Sequence, residues 1–191
     1  MHGGMEMADA TPCTAAPTAE QQKAAVALAD DTWSGTRQYE NLATAQADGY
    51  RPVTPSGEPV VHYINRDYYR NSYLGAPTLN TSKPESLVYA NTPNGAVLVA
   101  AMFINAPFGQ PPQPGGCLTQ WHIHTNLCFD RGGVVGTTQL GCPAGSENRK
   151  TAPMLHVWFV PVPGGPLAVD ASDEDAVTAA EKIPSPGNGT A

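Results

Sequence analysis

The chain has 191 residues, enough for one domain with a real core, and a formal net charge of -7. Its Lys and Arg residues are scattered rather than gathered into a stripe, which argues against nucleic acid as a partner, and no apolar run approaches the ~20 residues of a membrane span. Only 14% of the residues are charged while Gly and Pro number 19 each, a composition that suits a loop-rich, mainly β fold better than a helical bundle.

Residues 1–17 read as a flexible tail, opening with "MHGGMEM" and continuing as the Pro/Thr-rich "ATPCTAAPT". Thioether sulfur and imidazole are what Cu(I) favours, so this stretch is a candidate metal-attracting arm; a plain disordered start is the alternative. The first residues lack the basic start and apolar stretch of a leader, so an exported protein of this sequence has had its leader trimmed or carries it outside these residues.

A single domain is expected over 18–183. Thr18 and Gln21 form a capping-box pattern, and Ala25, Val26, Leu28 and Ala29 follow at helical spacing, which predicts a helix over 19–33. Gly35 is expected to bend or break it. "TRQYENLATAQADGY" continues as helix, with Tyr39, Leu42, Ala43 and Ala47 on one side, until Gly49 and Pro52 stop it. The period then changes to two. Strands are predicted over 60–65, 85–91, 96–104, 119–127 and 154–161, with Asn94-Gly95 as the turn of a hairpin. "RDYYRNSYLGAPTLNTSKP" reads as a long aromatic, polar loop, and the stretch from Phe129 to Pro153 as a loop with a small hairpin inside. "SDEDAVTAAEKI" can form a capped helix, and 184–191 read as a disordered tail. The expected fold is α+β, with N-terminal helices packed on a mainly antiparallel β-sheet that can curl toward a sandwich or barrel.

The four cysteines, Cys13, Cys117, Cys128 and Cys142, form no C-x-x-C pair, and their even number among loop residues reads as two disulfides in an oxidising compartment. Four cysteines allow three pairings; the preferred one joins Cys128 to Cys142, across the glycine-rich loop, and Cys13 to Cys117.

The chemistry is concentrated in "CLTQWHIHTNLC", residues 117–128. On one strand His122 and His124 share a face about 7 Å apart, and two imidazoles so placed can tilt onto one ion with N–metal bonds of ~2.0–2.1 Å. A third ligand must come from a neighbouring strand: His156 in "MLHVWFV" is the first candidate and His62 in "VVHYIN" the next. Gln120 and Asn126, on the face of the pair, can supply supporting hydrogen bonds. Glu85, opening a strand after Pro84, is a candidate fourth ligand or orienting carboxylate. Each residue has an ordinary alternative. The pair can face solvent on a half-buried strand, His156 and His62 can be core imidazoles satisfied by a carbonyl or a tyrosine, and Glu85 can be a strand-end charge in water. The metal reading is preferred on three grounds. Histidine is otherwise almost absent, His62 and His156 lie in apolar contexts where an imidazole needs a partner, and Cys117 and Cys128 bracket the pair. Copper is the first choice of metal and zinc the second. G-x-S-x-G, H-E-x-x-H, P-loop and dinucleotide fingerprints are absent, and a Cys–His nucleophile pair through Cys117 or Cys128 vanishes if those cysteines are bridged.

Taken together, "GYRPV", "VHYIN", "KPESLVYAN", "GAVLVAAMF", "GGCLTQWHIHTNLC", "MLHVWFVP" and "PGGP" resemble a group of exported bacterial, chiefly actinobacterial, proteins of unassigned function, over roughly residues 13–168. The resemblance implies export, disulfides and metal contact, but no reaction. Two further site geometries compare by analogy: the H-x-H strand of cupins, whose acid a few residues later is imperfectly matched by Asp130, and the three-histidine zinc site of alpha-type carbonic anhydrases, for which this chain is short. Two classes therefore follow. One is a secreted protein that holds copper or zinc; the other is a small extracytoplasmic metalloenzyme with an open coordination position. The lack of an evident general base favours binding. An aromatic "RDYYRNSY" segment lining a pocket would favour catalysis.

Overall fold

The computed structural model describes residues 7–8, 13–55, 57–105, 110–169 and 171–183. It opens with a two-residue strand, β1 (Met7–Ala8), followed by helix α1 (Ala19–Thr36). The capping box that starts α1 is complete: the Gln21 N–H donates to Thr18 Oγ1 at 3.2 Å, and the Thr18 N–H donates to Gln21 Oε1 at 2.9 Å. Gly35 does not break the helix. It lies where a Cβ would meet the Thr81 carbonyl oxygen at 2.5 Å, so its lack of a side chain serves packing. The buried stripe is Ala25, Leu28, Thr32 and Thr36; Val26 is exposed. The two threonines enter the core because each hydroxyl donates to the carbonyl four residues back.

A 3-10 turn over Arg37–Glu40 separates α1 from α2 (Leu42–Ala47), which ends at Gly49 with φ +97. Tyr39 and Ala45 are the buried residues of this stretch, while Ala43 and Ala47 face outward. Then come β2 (Tyr50–Pro52), β3 (Val60–Asn65), α3 (Arg66–Tyr73), β4 (Ser86–Thr92) and β5 (Gly95–Ile104). Helix α3 stands where a loop was expected. Asn65 caps it by accepting the Asp67 and Tyr68 N–H groups, and Asp67 pairs with Arg70 one turn on.

After β5 the chain forms short strands β6 (Ile123–His124), β7 (Leu127–Phe129), β8 (Val134–Thr137) and β9 (Glu147–Arg149), then β10 (Met154–Trp158) and α4 (Asp173–Ala180). The main sheet is antiparallel, in the order β10-β5-β4-β3-β2. Strands β2 and β10 are its two ends and do not pair with each other, so the sheet is open and does not curl into a closed barrel. β7 is the centre of a second, three-stranded sheet between β8 and β9. Strand β5 is apolar on both faces because both are covered. Helix α1 packs through Ala25 and Leu28 near Phe103, Leu155 and Val157 on one face, and α4 packs through Ala176, Ala179 and Ala180 on the other.

The expected single strand over 119–127 does not form. His122 makes one bridge to Met154, exchanging both backbone hydrogen bonds. Around Pro153 the register then slips by one residue, and His124 pairs with Thr151 instead: its N–H donates to the Thr151 hydroxyl and its carbonyl accepts the Thr151 N–H. β6 pairs with β1, Met7 opposite His124, and β7 belongs to the smaller sheet. The segment is thus a link between sheets. Both disulfides form in the preferred pairing, Cys13–Cys117 and Cys128–Cys142, and fasten this link at its two ends.

The pairing of β1 touches the stretch read as a tail, of which 1–6 and 9–12 lie outside the described residues, as do 184–191. Two paired residues contribute little beside the main core. Deleting residues 1–10 is expected to cost ~1 kcal/mol or less, about 2–4 °C in melting temperature. Calorimetry of the truncated chain checks this; a fall of many degrees would make the segment structural.

Candidate metal centre

Alternation along the main sheet puts Val60, His62 and Ile64 on the same face as Met102 and as Met154, His156 and Trp158. His62 lies on β3 and His156 on β10, with β4 and β5 between them. Three strand spacings are about 14 Å on a flat sheet. The two Nε2 atoms are nevertheless 3.4 Å apart, so the two side chains lean toward each other across the strands between them.

His122 comes from the link. Its bridge to Met154 sets it beside β10, and Trp121 goes the other way, into the core under α1, where its Nε1 donates to the Pro112 carbonyl. The imidazole of His122 stacks on that of His156, with centroids 5.3 Å apart and planes 18° from parallel. His124 lies 5.2 Å from His122, edge-on, and His62 lies 5.7 Å from His156. Four of the chain's five histidines therefore form one continuous cluster. His122, His124 and His156 are buried, and His62 is half-buried. Trp158 packs against the His156 ring at 5.4 Å and is itself held by a hydrogen bond from its Nε1 to the Ala168 carbonyl.

Among the described residues, no group of three or more His, Cys, Asp or Glu side chains is placed to hold a metal ion as it stands. The His62–His156 pair already has a ligand-like separation: two nitrogens bonded to one tetrahedral ion at ~2.0–2.1 Å lie about 3.3 Å apart. For His122 to join them, its ring must turn out of the stack on His156.

Glu85 is not brought to the cluster. It directly precedes Ser86, whose partners Ile64 and Met102 belong to the histidine face, and so it falls on the opposite face, the one on which α1 packs. There it accepts the Ile104 N–H at 3.0 Å, and burial pushes its carboxyl up to about 7. A carboxyl whose native value is raised makes the fold less stable as pH climbs from its ordinary value of 4.5 to about 7, because the native state holds the proton more tightly than the unfolded chain does. Glu85→Gln keeps an acceptor for Ile104 and removes the titration. It is expected to stabilise the protein by roughly 2–3 kcal/mol at pH 8 and hardly at all at pH 4. Urea unfolding at both values checks this; equal effects at the two would refute the assignment.

The cluster opens on a cavity of ≈ 660 Å³ that His62, His124 and His156 line. Two groups the sequence did not single out join them there, the thioethers of Met102 and Met154. Met102 is the cross-strand partner of His156, and Met154 precedes it by two on the same strand, so alternation could have found both once the pairing was known. Tyr69 and Tyr73 of α3 line the same cavity, and their hydroxyls are 2.7 Å apart. The thiol chemistry left open by the sequence is removed, since all four cysteines are bridged. No helix among the described residues is long and apolar enough to cross a membrane. No protein-family model, curated protein or solved structure matches the chain.

Proposed function

We propose that the chain is an extracytoplasmic protein that holds one copper ion among His62, His122, His124 and His156. The observation that carries this reading is the 3.4 Å between the Nε2 atoms of His62 and His156, close to the separation of two ligands on one ion, with the imidazole of His122 stacked on that of His156. The two disulfides support an oxidising compartment. Copper is preferred to zinc because soft thioethers, Met102 and Met154, line the cavity together with His62, His124 and His156. Titration of the chelator-stripped protein with copper and with zinc tests the proposal. One tight equivalent is expected, and no binding of either metal below millimolar levels would overturn it. Met102→Leu removes a sulfur at nearly constant volume. It is expected to weaken Cu(I) at least about tenfold and to leave zinc within about twofold, since zinc gains little from a thioether. Equal losses for the two metals would remove the sulfur from the copper argument.

A second reading, a metalloenzyme with an open coordination position, is favoured by one observation: the aromatic "RDYYRNSY" segment does line a pocket, through Tyr69 and Tyr73, and His62, His124 and His156 line the same space.

A further inference from the structure

The cavity next to the histidines is larger than an ion needs. At ≈ 660 Å³ it falls in the range of sites for small organic molecules. Away from the histidines and tyrosines its walls are mostly apolar: Val60, Ile64 and Ile104 from the main sheet, Ile123 from β6, Leu127 and Phe129 from β7. The smaller sheet closes it on the far side. There Gly133 sits where a Cβ would meet the Val53 carbonyl oxygen at 2.5 Å, and the Val134 N–H donates to that same oxygen, so β8 is held down against the end of β2. Formal charge is confined to residues that are exposed and therefore at the mouth: Arg149, Lys150 and Asp130. Asp130 is engaged, accepting the Gly132 and Gly133 N–H groups through Oδ1 at 2.7 and 3.1 Å. Arg149 pairs with Glu147, which offsets part of its charge, and Lys150 adds a second cation. On a chain of net charge -7, the charged lining of the cavity is two cations and one carboxylate, and Glu147 on Arg149 brings the signs at the mouth into balance. The mouth is therefore less acidic than the chain as a whole, and Lys150 is the cation that Glu147 does not offset.

We infer that the cavity binds an apolar organic molecule with a single carboxylate, its hydrocarbon body inside and its carboxylate at Arg149 and Lys150. The mostly apolar walls favour a hydrocarbon body over a sugar or a nucleotide, whose polar groups are spread over the whole molecule and would meet Val60, Ile64, Ile104, Leu127 and Phe129 without partners. The inference rests on the lining residues and holds with or without a metal at the histidines.

The test uses hexanoate, octanoate and decanoate, with decanol as the neutral control, titrated calorimetrically into the metal-free full-length chain. Affinity is expected to rise about fourfold per added CH₂ while the chain still fits. Decanoate is expected to bind at least about fivefold tighter than decanol, as a mouth cation pairing with carboxylate requires. Val134→Trp places a large side chain in the cavity from a half-buried strand position. It should weaken decanoate at least about tenfold while copper titration stays as in the wild type, which keeps failure of this inference separate from failure of the metal reading. Arg149→Gln with Lys150→Gln should equalise decanoate and decanol. Absence of decanoate binding, no dependence on chain length, or unchanged decanoate binding in Val134→Trp would overturn the site. Equal affinity for decanol and decanoate in the wild type would overturn the carboxylate assignment.

Discussion

Replacing His122 or His156 by alanine is expected to lower copper affinity by about 100-fold or more, beyond the 10–100-fold that loss of a merely supporting partner costs. His156 contacts both His62 and His122, so its loss splits the cluster, whereas loss of His122 leaves the close His62–His156 pair. The larger effect is therefore expected from His156→Ala. A ligating imidazole must be neutral, so wild-type affinity should also fall as pH drops through ~6.5 and below. Competition titrations with a chelator of known affinity, at pH 7.5 and pH 5.5, read both effects. Equal affinity in the wild type and both variants would make the histidines ordinary sheet residues.

Loss of the Cys13–Cys117 bridge is the second large effect. It spans 104 residues of sequence, against 14 for Cys128–Cys142. Chain-entropy arguments give ~4.7 kcal/mol for a loop of about 100 residues and ~3 kcal/mol for one of about 15. The double serine variant at Cys13 and Cys117 should therefore be destabilised by about 4.7 kcal/mol and the one at Cys128 and Cys142 by about 3, measured by urea unfolding. The longer bridge has a local role too. It fastens the turn at Gly115 and Gly116 against α1, where a Cβ on Gly116 would meet the Gln21 side chain at 2.2 Å. Loosening it should disturb His122, five residues on, and lower copper affinity together with stability. An equal or greater loss from the shorter bridge would contradict this ranking.

The helices and the main sheet were legible because their signals are local. A capping box, a Gly stop and period-two runs such as "VVHYIN" each depend on a few adjacent residues; the strands expected over 60–65 and 96–104 form, and the one expected over 154–161 stops at Trp158. The link over 119–127 was misread because its alternation is real while its partners change. His122 bridges β10, β6 takes β1, and β7 takes β8 and β9. No local pattern carries that information. Helix α3 was misread as a loop for its polar, aromatic composition, although Asn65 as cap and the Asp67–Arg70 pair were signals available to be read. At the candidate site, the closeness of His122 and His124 was legible in their spacing, while the meeting of His62 with His156 across two strands depends on a strand order that no local pattern carries. Glu85 illustrates the same limit, since one residue of register decides which face it takes.

X-ray absorption at the copper edge, on the full-length chain loaded with one equivalent and on His156→Ala, tests the central claim most directly. A histidine-held ion predicts three or four imidazole nitrogens around copper at the usual metal–imidazole distance of about 2.0 Å, and the loss of that shell in the variant. An identical spectrum from the two proteins, or a shell without imidazole, would place copper elsewhere and contradict the account.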